Sequence, residues 1–501
     1  MTVARLVLPA LRWSPARRAY LLEGAQDASA ALELGVGGFI LFGGTADAAH
    51  HTITELQDRA GHPLLFGSDL ERGAGQQFEG LSEWPPPAAL ATLGLDTVRA
   101  AARATAREAL ALGITWIFAP VADLDLEPEN PIVQTRAFGG EPAGVAACVE
   151  AWVRTAQAEG ALACVKHFPG HGRTRHDSHR EVPSVNAGRD ALDLDLTPFR
   201  AGIQAGVASV MTAHVRYPAL DPSGTPATAS GPILHLLRDE LGFRGLVVTD
   251  ALIMEAALAA GGPAAQIGAG VDLLLYPRDI ASTVAAIDEG MHGGALSEMR
   301  VVEALHRYES AVARLEAGRE SRAAIGGSRA EGRGSSAGAA AAADELLAAR
   351  TLRGRPPRLT APIELTLIDD DIGGPYPASP SDWLELQLDA LGVRMAGAAQ
   401  ELAGTTSGGR RSGRRQAGRK ATGSKVVAAF CEPRGWKGRA GFGERTRAEL
   451  AAAAPGADLV LLFGHPRLVD EIPGTGPVAC AWHRQRPMQE AAARLLSRLL
   501  G

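Results

Sequence analysis

The sequence LACVKHFPGHGRTRHDSHREVP, residues 162–183, begins as a short apolar run and continues as a polar loop that contains glycines. The run Leu162–His167 predicts a buried β-strand that finishes in Lys166 and His167. Pro169 and the glycines after it prevent a helix from starting at this point, so the polar groups stay exposed in a loop. This pattern, a strand that ends in chemically capable side chains, decides the predicted fold.

Short runs rich in leucine or β-branched residues recur along the chain between alanine-rich stretches of helical character, as in βα units around a parallel sheet. Eight strands are predicted, at Leu6–Leu8, Gly38–Phe42, Leu64–Asp69, Trp116–Val121, Leu162–His167, Ser209–His214, Leu246–Asp250 and Leu273–Tyr276. Because the active site of a (β/α)8 barrel is built at the C-terminal ends of its strands, polar strand ends such as these favour an α/β fold of the TIM-barrel type. An open, doubly wound sheet is the alternative.

The chain has 501 residues, of which 46% are hydrophobic, and this length indicates two domains. Residues 1–318 are predicted to form the (β/α)8 barrel. Residues 319–361, rich in glycine, serine, alanine and arginine, are predicted to form a linker that can end in a helix. Residues 362–501 are predicted to form a smaller α/β sandwich domain. Its basic tract 404–425 is interpreted as a disordered insertion loop, with an anion-binding or nucleic-acid-binding arm as the alternative.

The composition argues against several classes of protein. Charged residues make up 21% of the chain and the formal net charge is −6, which does not indicate a disordered protein or a dedicated nucleic-acid binder. The cysteines are too few and too scattered for a disulfide framework or a zinc site; they are Cys148, Cys164, Cys431 and Cys480. Neither a signal peptide nor a membrane-spanning run is predicted. We therefore expect a cytoplasmic protein without a nucleic-acid or membrane partner; its oligomeric state is not predicted.

Asp177 and His179 lie two residues apart in the loop that follows the fifth predicted strand. In an extended loop such residues point the same way, so the carboxylate can hold the imidazole ring and fix its tautomer. A histidine held in this way is a usable proton donor near neutral pH. A metal site is the alternative, because His167, His171 and His176 lie close to this pair in the sequence. No recognised ligand spacing such as HExxH is present, so no metal is expected.

The stretch GLVVTDALIME, residues 245–255, predicts a buried strand that ends in Asp250 and is followed by the start of a helix. One interpretation of an aspartate at this place is that it caps the helix and has no catalytic role. However, a carboxylate on one barrel strand that faces an acid/base group from another is the arrangement that retaining glycosidases require. Asp250 and His179 are therefore the candidate nucleophile and proton donor.

Five strings in the predicted barrel are similar to those of a known family. They are GGFILF (37–42), APVADLDLEPENPIVQTRAFG (119–139), KHFPGHG with DSH downstream (166–179), MTAHV (211–215) and VTDAL (248–252). Together they resemble glycoside hydrolase family 3, in particular its β-N-acetylglucosaminidase (β-N-acetylhexosaminidase) branch, which serves bacterial peptidoglycan recycling. KHFPGHG followed by DSH is highly specific. The C-terminal region resembles the α/β sandwich of the family faintly, through DLVLLFGHP (458–466) and the closing helix.

The resemblance assigns roles to individual residues. It makes Asp250 the nucleophile and His179 the acid/base, oriented by Asp177. It places four further residues against the sugar at subsite −1, namely Asp69, Arg136, Lys166 and His167. His214 ends a strand and is interpreted either as a group that lines the pocket or as a hydrogen-bonded core histidine. The implied reaction is a double displacement with retention of configuration, without a metal or organic cofactor.

The sequence departs from the family between residues 69 and 78. The family pattern D-x-E-x-G-x-V-x-R reads DLERGAGQQF here, so that Gly75 stands in place of the valine and Gln77 in place of the arginine. Glutamine can still form hydrogen bonds with substrate, but it lacks the charge and planar fork of arginine. The contact with the distal hydroxyls of the sugar is therefore expected to change, unless Arg72 or another arginine compensates.

The predicted function is hydrolysis of terminal β-linked N-acetylglucosamine from peptidoglycan- or chitin-derived fragments. A histidine acid/base presents no negative charge to an entering anion, so a β-N-acetylglucosaminide phosphorylase is an alternative. Another β-glycosidase of the family is a second alternative. An alternative of a different class is a sugar-binding protein that has kept the barrel and lost turnover.

Overall fold

The computed structural model describes residues 2–22, 28–324, 332–349, 351–370, 380–396 and 423–500. The chain divides into two compact units. One comprises Met1–Ala342 together with Pro433–Ala440, and the other comprises Ala343–Glu432 together with Gly441–Gly501. Within the described residues, no helix is long and apolar enough to cross a membrane.

The first unit is a closed parallel barrel. Its strands are β1 (Val7–Leu8), β2 (Ala10–Ser14), β4 (Gly38–Phe42), β5 (Leu65–Ser68), β6 (Trp116–Ile117), β7 (Leu162–Phe168), β8 (Ser209–Thr212), β9 (Leu246–Thr249) and β10 (Leu274–Leu275). Strands β2 and β4–β9 pair in chain order, a bridge between Val248 and Leu273 connects β9 to the segment before β10, and β10 pairs with β1. Because β1 and β2 form one strand interrupted at Pro9, the ring contains eight strands.

This arrangement confirms the predicted TIM-type barrel and excludes the open sheet. Each of the eight predicted strands overlaps an observed one, and Gly38–Phe42 has the predicted bounds. The strand β3 (Ala19–Leu21), which pairs antiparallel with β2 as a hairpin, was not predicted.

Helices surround the barrel at the positions of the alanine-rich stretches. They are α1 (Ser29–Leu34), α2 (Ala46–Arg59), α3 (Pro87–Leu93), α4 (Leu95–Leu112), α5 (Pro142–Ala158), α6 (Arg189–Asp195), α7 (Thr197–Gln204), α8 (Gly231–His235), α9 (Gly262–Ala269), α10 (Ile280–His292) and α11 (Glu298–Ala324). Their ends follow capping rules. Helix α5 begins with a proline in its first turn, and the Glu141 carboxylate accepts hydrogen bonds from the N–H groups of Ala143 and Gly144. Helix α4 ends at Gly113, whose φ of 96° suits glycine.

A buried ion cluster holds the last barrel helix at the N-terminal end of the strands. Asp272, which lies just before β10, is fully buried. Its carboxylate pairs with Arg238 at 2.5 Å, with Arg307 at 3.0 Å, and with Arg300. The same carboxylate accepts a hydrogen bond from the Val247 N–H at 2.9 Å. Since Arg300 and Arg307 belong to α11, the cluster connects this helix to β9 and β10.

The second unit is a smaller α/β domain around a five-stranded sheet. Its strands are β11 (Thr351–Arg353), β12 (Glu364–Asp369), β13 (Lys425–Cys431), β14 (Leu459–Gly464) and β15 (Val478–Cys480), in the order β11-β15-β14-β13-β12. All neighbours are parallel except β11 and β15. The helices are α12 (Gly332–Ala349), which runs across the boundary between the units, α13 (Trp383–Ala390), α14 (Glu444–Ala453) and α15 (Arg486–Leu500). Phe430 and Phe463 stack on adjacent strands with ring centroids 4.4 Å apart.

This domain agrees with the predicted α/β class of the C-terminal region. The stretch 319–361, which is predicted as a linker, contains the end of α11, helix α12 and strand β11. Residues 397–422, which include most of the predicted insertion 404–425, lie outside the described residues. The predicted domain limits at 318 and 362 stay predictions.

Replacing Asp272 by asparagine should destabilise the barrel strongly. The change leaves three arginines around a position that no longer carries charge, and breaking a buried ion pair costs about 3–5 kcal/mol. Urea denaturation followed by circular dichroism measures the loss in free energy of unfolding. The control is Glu150→Gln, which removes an exposed pair with Arg154 on α5 and should cost less than about 1 kcal/mol. Equal losses for the two variants would show that the cluster does not stabilise the barrel.

Candidate active site

Four charged side chains form a network at the C-terminal end of β5 and β7. The Lys166 ammonium lies 2.6 Å from Asp69 and 2.7 Å from Glu71. Arg136 binds Glu71 in a bidentate manner, at 2.7 and 2.9 Å. Lys166 and Glu71 are almost fully buried, whereas the Asp69 side chain is 32% exposed. Asp69 is therefore the carboxylate of this network that a ligand can reach.

Opposite charges keep the network ionised despite burial. Burial alone would raise the pKa of Glu71, but Arg136 and Lys166 hold it well below its usual range. Burial likewise acts to lower the pKa of Lys166, and the neighbouring carboxylates Asp69 and Glu71 overcome this effect and raise it. A lysine in this setting is a fixed cation with hydrogen-bond donors, and not a base.

Asp123 holds the residues that follow Lys166. It is fully buried just beyond β6, and its carboxylate lies 2.7 Å from His167 Nδ1. The same carboxylate accepts hydrogen bonds from the N–H groups of His167 and His171, at 3.1 and 2.7 Å. Burial acts to raise the pKa of Asp123, but the two histidines lower it below the usual value. The Nδ1 contact fixes the His167 ring, so that Nε2 is the nitrogen that can turn to a ligand.

The loop after β7 is packed closely against the segment that follows β6. A Cβ atom at Gly172 would lie 1.7 Å from the carbonyl oxygen of Leu124, so no other residue fits there without displacement. The Glu127 N–H donates to the Gly172 carbonyl at 3.1 Å. Within the loop, the His171 ring lies between Thr174 Oγ1 at 2.8 Å and Ser178 Oγ at 3.2 Å. The glycine-rich sequence therefore forms an ordered loop that carries the residues after it.

Asp177 and His179 form the predicted pair. The His179 Nδ1 lies 2.8 Å from Asp177 Oδ1, which also accepts a hydrogen bond from the His179 N–H at 2.9 Å. Asp177 is buried, while the His179 side chain is 20% exposed. Burial acts to raise the pKa of Asp177, but hydrogen bonds from His179 and its charge lower it. The carboxylate thus stays ionised and orients the ring, which leaves Nε2 as the nitrogen that can face a ligand.

Asp250 lies directly after β9 and is accessible in part. Its Oδ1 accepts a hydrogen bond from the Ala251 N–H at 2.7 Å. Burial acts to raise the pKa of Asp250, but the nearby His167 and His214, together with this N–H and His179, lower it to about 2. Asp250 is therefore an ionised carboxylate at any pH near neutrality. Beside it, His214 is buried, with Nδ1 2.9 Å from Thr228 Oγ1.

The loop of His179 and the segment after Asp250 are linked directly. The Ser178 carbonyl, within the Asp177–His179 turn, accepts a hydrogen bond from the Ala256 N–H at 3.4 Å. His179 and Asp250 are also close enough for the charge of the imidazole to lower the pKa of the aspartate. The carboxylate on β9 and the imidazole on the β7 loop thus lie at the same rim of the barrel.

Gln77 is used in part by the protein itself. Its Oε1 accepts a hydrogen bond from the Gly43 N–H, just after β4, at 3.2 Å. The side chain therefore fixes the β4 end to the turn that follows β5, a contact that an arginine, which has no acceptor, cannot make.

The histidine cluster does not form a metal site. His167, His171 and His179 have separate partners, as described above, and His176 lies 2.6 Å from Glu181 on an exposed part of the loop. In the part of the chain that the structure describes, no group of three or more histidine, cysteine, aspartate or glutamate side chains is arranged to hold a metal ion.

The sequence analysis assigned no role to two further members of the site, Glu71 and Asp123, although Asp123 was among the polar residues at the ends of the predicted strands. Glu71 lies two residues after Asp69 within the quoted DLERG stretch, and that spacing could have placed both carboxylates on one side. Asp123 follows a predicted strand but was not assigned a role. The structure connects Asp69, Arg136, Lys166 and His167 through these two buried carboxylates.

Barrels of this kind carry their active sites at the C-terminal ends of the strands, and a retaining glycosidase requires an ionised carboxylate near a proton donor. Residues 23–311 match the family described as glycosyl hydrolase family 3 N terminal domain. The chain belongs to this family, as its motifs predicted.

Several known proteins are similar to the chain. A Cellulomonas fimi protein named β-N-acetylglucosaminidase/β-glucosidase is 39% identical over 55% of this chain and 51% of its own length, so the match spans about half of that relative. A β-hexosaminidase from Xanthomonas oryzae pv. oryzae is 36% identical over 50% of this chain and 80% of its own length. The solved structure of a family 3 β-N-acetylglucosaminidase from Paenibacillus sp. has a TM-score of 0.80 and 26% identity, and the match covers 100% of this chain and 96% of that one.

Proposed function

We propose that the protein is a retaining β-N-acetylhexosaminidase that removes terminal β-linked N-acetylglucosamine. The observation that carries the proposal is the ionised Asp250 beside the Asp177–His179 pair at one barrel rim, joined by the Ser178–Ala256 hydrogen bond. The names of the similar bacterial proteins, β-hexosaminidase and β-N-acetylglucosaminidase, support the same activity.

In the first half of the reaction, an Asp250 carboxylate oxygen attacks the anomeric carbon while the bond to the leaving oxygen breaks. Protonated His179 gives its Nε2 proton to that oxygen, and Asp177 stabilises the ring through Nδ1. The product is a covalent glycosyl-aspartate. In the second half, neutral His179 takes a proton from water, the water oxygen attacks the same carbon, and Asp250 leaves. Two inversions retain the configuration.

The remaining charged residues bind the sugar at subsite −1 in this proposal. Asp69 has an exposed edge and can accept hydrogen bonds from two neighbouring hydroxyls. Lys166 and Arg136 can donate to sugar oxygens, and Glu71 holds both cations in place. His167 is fixed by Asp123, and buried His214 lies next to the nucleophile, where it supports the ionised form of Asp250. Gln77 Nε2 can replace one donor of the family arginine.

Peptidoglycan-derived or chitin-derived fragments are the proposed source of the substrate, and the cytoplasm is the proposed location. These proposals rest on the motifs of the family branch and on a composition that predicts reduced cysteines. The four cysteines are all buried.

Release of N-acetylglucosamine from purified muropeptides, compared with release from chitobiose, distinguishes peptidoglycan-derived from chitin-derived substrates.

Two variants test the roles of the nucleophile and the acid. Asp250→Ala should lower kcat/KM on every glycoside by a factor on the order of 10³ or more, because no covalent intermediate can form. His179→Ala should lower kcat/KM on chitobiose by about 10²–10⁴-fold and on a 2,4-dinitrophenyl glycoside far less, since that leaving group needs little protonation. Asp193→Ala, at an exposed aspartate of α6, is the control. Wild-type turnover in the Asp250→Ala variant would refute the role of the nucleophile. Equal losses of kcat/KM on chitobiose and on the 2,4-dinitrophenyl glycoside in the His179→Ala variant would refute the role of the acid.

The pH profile follows from the low pKa of Asp250. Because that pKa is about 2, the nucleophile remains charged down to about pH 3, and kcat/KM should have no acid limb between neutrality and about pH 4. An acid limb above about pH 4 in protein that is still folded by circular dichroism would contradict the assignment of Asp250.

Phosphorolysis is the second candidate. It is favoured by the imidazole acid/base, since a neutral ring does not repel an anionic acceptor as a carboxylate would. Turnover of an aryl β-N-acetylglucosaminide with and without phosphate, with the products separated by chromatography, decides between the two. A hydrolase should release free sugar at a rate that phosphate changes little, whereas a phosphorylase should form the sugar 1-phosphate.

Parallel assays with glucosides and xylosides test the other β-glycosidase activities, and binding without turnover would indicate a sugar-binding protein.

A further inference from the structure

The segment Pro433–Ala440, with the sequence PRGWKGRA, follows β13 far along the chain from the barrel but belongs to the same compact unit as the barrel. We call it the Trp436 segment. Its first part is held by the Arg434 N–H, which donates to the Pro131 carbonyl at 3.3 Å, and its last part by Gln134 Nε2, which donates to the Ala440 carbonyl at 3.2 Å. Both anchors lie between β6 and α5, so the segment is attached to the barrel rim at two points.

Between these anchors the segment packs on the ring of His179. The indole of Trp436 and the imidazole of His179 have ring centroids 4.2 Å apart, with an angle of 50° between their planes. The Gly435 backbone lies against the same ring: a Cβ atom at this glycine would lie only 2.8–3.0 Å from His179 Cε1, Nε2 and Nδ1. Only glycine therefore fits without displacing the imidazole.

The segment also contacts the partner of His179. The backbone N–H of Trp436 points to the Asp177 carboxylate and contributes to the lowering of its pKa. Trp436 has a φ of 67°, in the left-handed region that a bulky residue rarely adopts. Such a conformation is unfavourable by itself and persists where the surroundings enforce it, which is common at functional sites.

We infer that Trp436 and Gly435 are positioning residues for the acid/base: together with Asp177, they hold the His179 imidazole in the orientation that proton donation needs. The inference rests on the proposed function. Asp177 fixes one ring nitrogen, but a single hydrogen bond still allows the ring to tilt about it. Packing against the indole and the glycine backbone removes that freedom, and proton transfer depends steeply on such orientation.

The test uses the full-length protein and two substrates with different leaving groups. Trp436→Ala should lower kcat/KM on chitobiose by about 10–100-fold and on a 2,4-dinitrophenyl N-acetylglucosaminide by less than about 3-fold, because only the first needs a well-placed acid. Trp436→Phe should keep most of the activity on chitobiose. Gly435→Ala, which leaves the indole in place, should give the same selective loss as Trp436→Ala. Trp383→Ala, at a tryptophan of the second unit that stacks with Arg486, is the matched control and should leave both rates unchanged.

Combination with His179→Ala separates positioning from a general structural effect. If Trp436 acts through His179, Trp436→Ala should cause little further loss in a protein that already lacks the imidazole. Equal losses on the two substrates, a change in KM alone, or full additivity with His179→Ala would overturn the inference. If Trp436→Ala does not fold, as judged by circular dichroism, Gly435→Ala carries the same comparison, with Trp436→Phe as the reference that should keep most of the activity.

A measurement without substrate distinguishes failure of this inference from failure of the proposed function. The indole of Trp436 contacts the imidazole of His179, so the emission of Trp436, measured as the difference between wild type and Trp436→Phe, should change when His179→Ala is introduced into both proteins. If wild type turns over neither substrate, the proposed function fails, and the fluorescence still decides whether the contact exists. An emission of Trp436 that is the same with and without the His179 ring would overturn the inference.

Discussion

The closed ring of parallel hydrogen bonds is the constraint on which the rest of the structure depends. Once β10 pairs with β1, all strand ends of the same polarity lie on one circle. Residues that are far apart in sequence, such as Asp69, Lys166 and Asp250, must then lie around a single opening. The opposite end of the ring carries the Asp272 ion cluster, which connects strands to α11. Chemistry and stabilisation therefore occupy opposite faces of the same barrel.

Buried charges give the rim its fixed geometry. Glu71 and Asp123 are both inaccessible, and neither is free to act on a ligand, because each is fully engaged with a cation, a ring or backbone N–H groups. Their role is to hold Lys166, Arg136 and His167 at defined positions. Each carboxylate remains ionised only because its partners are present. The loss of one member therefore leaves an uncompensated charge, so the network behaves as a unit.

The strand pattern was sufficient to predict the barrel, since apolar runs at βα spacing and polar strand ends are local properties. Asp177, His179 and Asp250 were likewise predicted from motifs, and the structure brings them to one rim. Glu71 and Asp123 were given no role, because the role of a buried carboxylate depends on the partners it meets in space, and these come from other strands. No pattern in the sequence indicated a role for Trp436, because its contact with His179 depends on how a distant part of the chain folds back. The hydrogen bond from the Gly43 N–H to Gln77 Oε1 could also not be predicted from the sequence, because its donor is a backbone group.

The proposed nucleophile and the proposed proton donor are held by different parts of the structure. Asp250 directly follows a strand of the closed ring, whereas His179 lies on a loop that is braced by side-chain and packing contacts. In the proposed reaction, the closed ring of strands therefore fixes the nucleophile, and the contacts around the loop fix the proton donor. If the proposal holds, evolution or protein engineering can alter which alcohols depart by changing residues around the loop, while the glycone specificity and the covalent step are left intact.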